Sequence, residues 1–280
     1  MSSSRVSDLE KWSVSLVKGA KRELYLTPKP GLVDLSDAGS HPDLSLSIME
    51  ESIRYVSDYL EAVVCSLVND ESFDCQKKLA IQAEKRLYDS LGTNTHKGFV
   101  FLSGMLLIAR WHAPAPDERS LRMTLSALAE GFFKSAENSS SNGQQARQKY
   151  NAGGIVLEAI KGFPSLFDEA LPAFRVAIGR HPSIDAASFA MLARLMQTVD
   201  DTTTLHRGGL MALSRVKRDG QQLEILIANG GDHLTHLGDL NRDYVRMNIT
   251  MGGVADMLGL AFGVLMACGE IPAESEAYRS

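Results

Sequence analysis

Two apolar stretches constrain this chain most. Phe99 to Trp111 is nearly all apolar, and Val254 to Cys268 matches it apart from Asp256. Crossing a bilayer takes roughly 20 apolar residues, so neither is long enough to span one. A helix that is apolar all round needs neighbours on every side, and a large helical domain supplies them. The chain has 280 residues, 44% of them hydrophobic, which is ample material for such a core. The expected fold is all-α, a single multi-helix domain over residues 1–280, because no composition shift or repeat marks a boundary.

The helical spacing runs through most of the chain. Ser7-Asp8-Leu9-Glu10 reads as a capping box before an amphipathic run to about Glu23. Ile48, Ile53, Val56, Leu60, Val63 and Leu67 recur at helical spacing. Asp74 is expected to cap a third helix that Gly92 stops, and Asn94 or Thr95 to cap the apolar helix through Trp111. Further helices fit 121–137, 153–160, 166–178, 186–199, 234–247 and 254–268. Leu210 to Ile227 carries the best hairpin signal, Asp219-Gly220, but its flanks do not alternate, so two helices are preferred. Asn138 to Gln148 is rich in Ser, Asn and Gln and reads as a mobile surface loop or lid.

Several function classes fall away. A net charge of −5 gives no global pull toward nucleic acid or an anionic membrane, so any polyanion site must be local. Three scattered cysteines argue against a disulfide framework, and the first residues hold no apolar leader; a cytoplasmic location is expected. No P-loop, GxSxG elbow, CxxC pair or third ligand beside His233 and His236 occurs.

Four polar loops carry the chemistry. Thr27 to Leu44 holds Pro28, Pro30, Gly31, Gly39 and Pro42, so it is no regular element. It presents Lys29, Asp34, His41 and Asp43, which suits a phosphate and a Mg²⁺ ion, or else an ordinary connector with solvated charges. Asn94-Thr95-His96-Lys97-Gly98 stands where an apolar helix begins, and helix N-termini favour anions; the alternative is a capping turn with an incidental His-Lys pair. Asp200 to Gly209 packs two acids, His206, Arg207 and the pair Gly208-Gly209 into ten residues. There Arg207 could grip phosphate and the glycines could admit a ligand close to backbone, unless the segment is a charged turn. Asp256 sits on an apolar helix after Gly252-Gly253 and needs either a buried cation or a metal. Glu158 has the same status with weaker support, and Glu84 reads as a solvated helix residue.

These loops, in this order, resemble the triphosphoribosyl-dephospho-CoA synthase family of citrate lyase and malonate decarboxylase systems. The resemblance rests on TPKPGLVD and GSHPD within 27–43, NTHKG at 94–98, GIVLEA with GFP at 154–164, DTTTLHRGG at 201–209 and MGGVAD at 251–256. It implies an all-α enzyme that moves the triphosphoribosyl group of ATP onto the 2′-hydroxyl of 3′-dephospho-CoA and releases adenine. An oxocarbenium-like centre at the ribose C1′ then needs a base for the acceptor and a proton or hydrogen bond for the purine. By that resemblance Lys29, Asn94, Lys97, Arg207, Gly208 and Gly209 hold the nucleotide. Asp34, Asp256 and Glu158 are metal candidates, and Asp201, His206, His96, Asp43 and His41 are catalytic candidates. Three departures stand out: Val156-Leu157 where the family has Arg-Gly, Thr203 where it has Asn, and Met251 where it has Pro. They leave open another acceptor, such as a pterin or furan coenzyme of one-carbon metabolism, or a non-catalytic nucleotide-binding subunit. The small residues of the last apolar helix suit packing within one protomer or across a homodimer.

Overall fold

The computed structural model describes residues 3–135, 153–180 and 183–273. Among them are eleven α-helices, one π-helical turn and no strand, so the chain is all-α. Helix α1 spans Ser3–Tyr25, α2 Leu46–Val68, α3 Phe73–Leu91, α4 Lys97–His112 and α5 Glu118–Ser135. Helix α6 covers Gly154–Ile160, and a π-helical turn over Ser165–Ala170 runs into α7, Leu171–Arg180. Then come α8 (Ile184–Thr198), α9 (Thr202–Ala228), α10 (His233–Met247) and α11 (Gly252–Ala267). The loop expected at Asn138 to Gln148 lies outside the described residues.

The two apolar helices form the middle of the molecule. Every residue of α11 from Met257 to Ala267 is buried, as is nearly all of α4 from Phe99 to Trp111. They pack on each other. Around them, α1, α2, α3 and α5 cover α4, and α1, α8, α9 and the π-helical turn cover α11. No described helix is long and apolar enough to cross a membrane.

The small residues of α11 serve contact within the protomer. A Cβ on Gly19 of α1 would lie 2.3 Å from the Gly259 carbonyl oxygen, and one on Gly263 would lie 2.9 Å from the Leu16 Cα. The two backbones therefore touch directly, which no larger residue permits. This crossing places Glu23, one turn after Gly19, beside Asp256, one turn before Gly259.

Some local expectations give way. Helix α1 begins at Ser3, so Ser7-Asp8-Leu9-Glu10 lies within it rather than at its cap; Asp8 instead accepts from Arg110 Nε at 2.9 Å. Phe73 opens α3, which puts Asp74 in the first turn, while Gly92 ends the helix in the left-handed conformation as expected. Residue His96, not Asn94 or Thr95, caps α4. Residues 210–227 form one unbroken helix, with neither a hairpin nor a break at Asp219-Gly220. Asp219 is fixed by Arg215 Nε at 2.7 Å and the Tyr244 hydroxyl at 2.9 Å, and Gly220 lets α9 press against Met196 and the Ala193 carbonyl. The break comes earlier, at Gly209, whose φ of 66° suits glycine.

Candidate functional site

One cleft of about 730 Å³ is bounded by the starts of α4, α9 and α11 and by the loop between α1 and α2. Ten of the fourteen sequence-derived candidates line it: His41, Asp43, Asn94, His96, Lys97, Glu158, Asp201, His206, Arg207 and Asp256. Lys29, Asp34, Gly208 and Gly209 do not.

The reasons are local. Lys29 is fully buried behind the cleft, where its ammonium donates to the side chain and the backbone carbonyl of Glu23. Its cation is therefore occupied, and it offers no phosphate contact. Asp34 accepts from the backbone N–H groups of Lys29 at 2.8 Å and Ser36 at 2.7 Å, so it shapes the loop instead of facing a metal. Gly208 and Gly209 act on the chain path: Gly209 kinks α9 two residues after Arg207, the last residue of that helix to line the cleft.

Four acids lie deep in the cleft. Asp201 joins two helix starts: its Oδ1 accepts from Thr203 N and Thr204 N, each at 2.8 Å, and its Oδ2 from Val254 N at 2.9 Å. It is an N-cap for α9 and a clasp on α11, with both oxygens occupied. Burial raises its carboxyl, and those N–H groups oppose the rise. Glu158 takes the hydroxyl and the N–H of Ser165, anchoring the π-helical turn, and burial raises its carboxyl too. Asp256 rests against Gly98, where a Cβ would lie 2.0 Å from Oδ2. Its carboxyl accepts from the Phe99 N–H, so a free N–H at the start of α4 is already turned to a group of the protein. Burial, with Asp201 and Glu23 nearby, holds the Asp256 carboxyl well above the usual carboxylate range, and no cation pairs with it among the described residues.

Glu23 is the fourth, and sequence reasoning missed it. It lines the cleft, and burial raises its carboxyl while Lys29 opposes the rise. The signal was there: Leu9, Trp12, Leu16 and Ala20 form the buried stripe of α1, and Glu23 continues it. Glu84 is half-buried and not the solvated helix residue that the spacing predicts. It lines the cleft and pairs with Lys97 at 2.7 Å.

The histidines divide by their partners. Arg207 donates to the Ser40 carbonyl at 2.6 Å, to Asn248 Oδ1 at 3.1 Å and to His41 Nδ1 at 3.2 Å. Because His41 Nδ1 accepts, its proton sits on Nε2, which donates to Thr250 Oγ1 at 2.6 Å. Burial and then Arg207 lower the His41 pKa to about 4, which keeps the ring neutral. His41 therefore orients Arg207, which has no carboxylate partner among the described residues. His96 contacts Ser52 through Nδ1 at 2.7 Å, and Ser52 donates onward to Thr95 Oγ1 at 2.7 Å. That chain puts the His96 proton on Nδ1 and leaves Nε2 as a buried acceptor with no partner. Burial and Lys29 lower its pKa to about 4. His206 is exposed at the mouth, and Asp43 is held low there by the Thr93 hydroxyl. Val156, where the family resemblance has Arg, also lines the cleft.

A helical shell around a cleft of buried acids and one free, braced arginine suits a transferase that handles a polyanion. The family described as CitG, ATP:dephospho-CoA triphosphoribosyl transferase, matches residues 10–271, and the chain belongs to that family. A protein from Azotobacter vinelandii is 32% identical over 250 residues, covering 85% of each chain. One from Acinetobacter calcoaceticus is 29% identical over 254 residues, covering 87% of this chain and 86% of that protein. One from Streptococcus mutans is 29% identical over 271 residues, covering 87% and 92%. All three carry the name "Probable 2-(5''-triphosphoribosyl)-3'-dephosphocoenzyme-A synthase". No solved structure matches.

Proposed function

We propose that this cleft transfers the triphosphoribosyl group of ATP to the 2′-hydroxyl of 3′-dephospho-CoA, with release of adenine. The observation that carries the reading is the family match running through residue 271, across all three departures as well as the intact N-terminal loops. That extent favours the family's own reaction over a changed acceptor or a silent binding subunit.

Within the cleft, Arg207 is the principal phosphate ligand, since three protein contacts brace it and no carboxylate neutralises it. Lys97 and His206 add donors at the mouth, beside Asn94 and Asp43. The lining holds seven carboxylates (Glu23, Asp43, Glu84, Glu158, Asp200, Asp201, Asp256) against two fixed cations, Lys97 and Arg207. A triphosphate enters such a cleft only with its charge compensated, so Mg²⁺ fits the donor set. Among the described residues no three side chains form a metal cage. Mg²⁺ commonly binds one or two carboxylates and takes its other ligands from phosphate and water. Asp256 is the carboxylate available for it, because Asp34, Asp201 and Glu158 are occupied by backbone and hydroxyl donors. The ion, when bound, would neutralise phosphate charge. The protein orients the ribose and removes the proton of the acceptor.

The test is chromatography of the purified chain with ATP and Mg²⁺, with and without 3′-dephospho-CoA. Free adenine is expected only with both substrates, and EDTA should abolish it. No adenine from the complete mixture would overturn the reading.

A further inference from the structure

Glu23 is held by a fully buried cation of its own. Lys29 is 0% exposed and donates to Glu23 Oε1 and to the Glu23 carbonyl. A buried ion pair is a poor source of stability, because desolvation offsets most of its attraction. Here one half of the pair forms the wall of the cleft and the other half stands behind it. Glu23 Oε2 accepts no hydrogen bond among the described residues and is not sealed off from the cleft. The other deep acids differ. Asp201 and Glu158 have both oxygens occupied, and Asp256 has no protein cation beside it and is the acid left for Mg²⁺. The glycine crossing fixes Glu23 from the far side, since the Cβ position of Gly259 lies 3.6 Å from the Glu23 Cβ.

We propose that Glu23 is the catalytic base that takes the proton of the acceptor hydroxyl, with Lys29 as its positioning residue. This rests on the triphosphoribosyl-transfer reading. The acceptor O2′ forms a bond to C1′ of the ATP ribose as the C1′–N9 bond breaks. The electron pair of that bond leaves with adenine. The hydroxyl proton passes to Glu23, adenine gains a proton from water, and Glu23 returns its own to water. Nothing is oxidised or reduced, and the protein ends as it began.

Three variants of the full chain test it beside the wild type, read by adenine release with ATP, Mg²⁺ and 3′-dephospho-CoA. Glu23→Gln should lower kcat by about a hundredfold or more, the range expected for a lost general base, with both KM values nearly unchanged. The double variant Glu23→Gln/Lys29→Met pairs two neutral groups. It should melt close to the wild type yet stay as slow as Glu23→Gln. Formate added to Glu23→Ala should restore part of kcat by standing in for the missing carboxylate. A double variant within about tenfold of wild-type kcat would show the pair to be only structural, overturning the proposal. A change confined to KM in Glu23→Gln would overturn it as well. A wild type that releases no adenine would instead overturn the transferase reading itself.

Discussion

The floor and the mouth of the cleft are built on opposite terms. On the floor, acids from α1, α6, α9 and α11 are buried or half-buried and tied to backbone, to Ser165 or to Lys29. At the mouth, His206 and Lys97 reach toward solvent from the first turns of α9 and α4, and the half-buried Arg207 stands beside them. Arg207 is braced by neutral groups alone, and Lys97 by one half-buried acid, Glu84. Polar contacts on the floor fix geometry, and the unneutralised Arg207 at the mouth leaves binding capacity. So the residues most conspicuous in the motifs are not equally free to meet a substrate. Asp201 heads its motif, yet it holds two helices together.

The sharpest way to break this division is at Gly98. Gly98→Ala puts a Cβ where Asp256 Oδ2 now lies, 2.0 Å away. The carboxylate must swing aside, and kcat for adenine release should fall by about a hundredfold, as misplacement by an ångström can cost. Circular dichroism should show the helices intact. Unchanged kcat would show that the position of Asp256 does not matter.

A smaller effect is expected at Asp201. Asp201→Asn keeps an acceptor for Thr203 and Thr204 but turns an amide toward Val254 N, leaving a buried N–H unpaired. The expected cost is about 1–3 kcal/mol, read as a lower melting temperature. Lost activity at unchanged stability would return Asp201 to the chemistry.

The smallest is a pH effect at the mouth. Folding lowers the His41 pKa from 6.5 to about 4, so the unfolded chain binds its proton first. That contribution to stability is full above pH 6.5 and is lost as pH falls toward 4. The melting temperature of the wild type relative to His41→Gln should therefore drop between pH 7 and pH 5. The comparison removes the raised carboxyls of the floor, which titrate in both proteins and act in the opposite sense.

Much of this was legible in the chain. The period of the apolar residues marks the helices, and the two uninterrupted apolar runs mark the centre of the fold. The loop motifs gather at one cleft because each stands at a helix start or in the loop after α1. What the spacing does not carry is side-chain direction. Lys29 sits among acids in a polar loop, but its partner lies six residues back on α1, so nothing local shows the ammonium turning inward. Glu23 stands at the end of an amphipathic run, and its stripe shows that it turns inward but not what it meets: the contact of Gly19 with Gly259 brings α1 against α11 and sets Glu23 at the cleft. Gly208-Gly209 looked like a ligand loop because a left-handed glycine inside a helix gives the same letters as one beside a phosphate.

The most direct measurement is steady-state adenine release by Arg207→Met and Glu23→Gln in one assay. A mouth that binds and a floor that reacts predict opposite changes. Arg207→Met should raise the KM for ATP by about tenfold or more, the loss of charge-assisted hydrogen bonds, with kcat little altered. Glu23→Gln should lower kcat and spare that KM. If Arg207→Met lowers kcat alone, or Glu23→Gln raises KM alone, the division between mouth and floor is wrong.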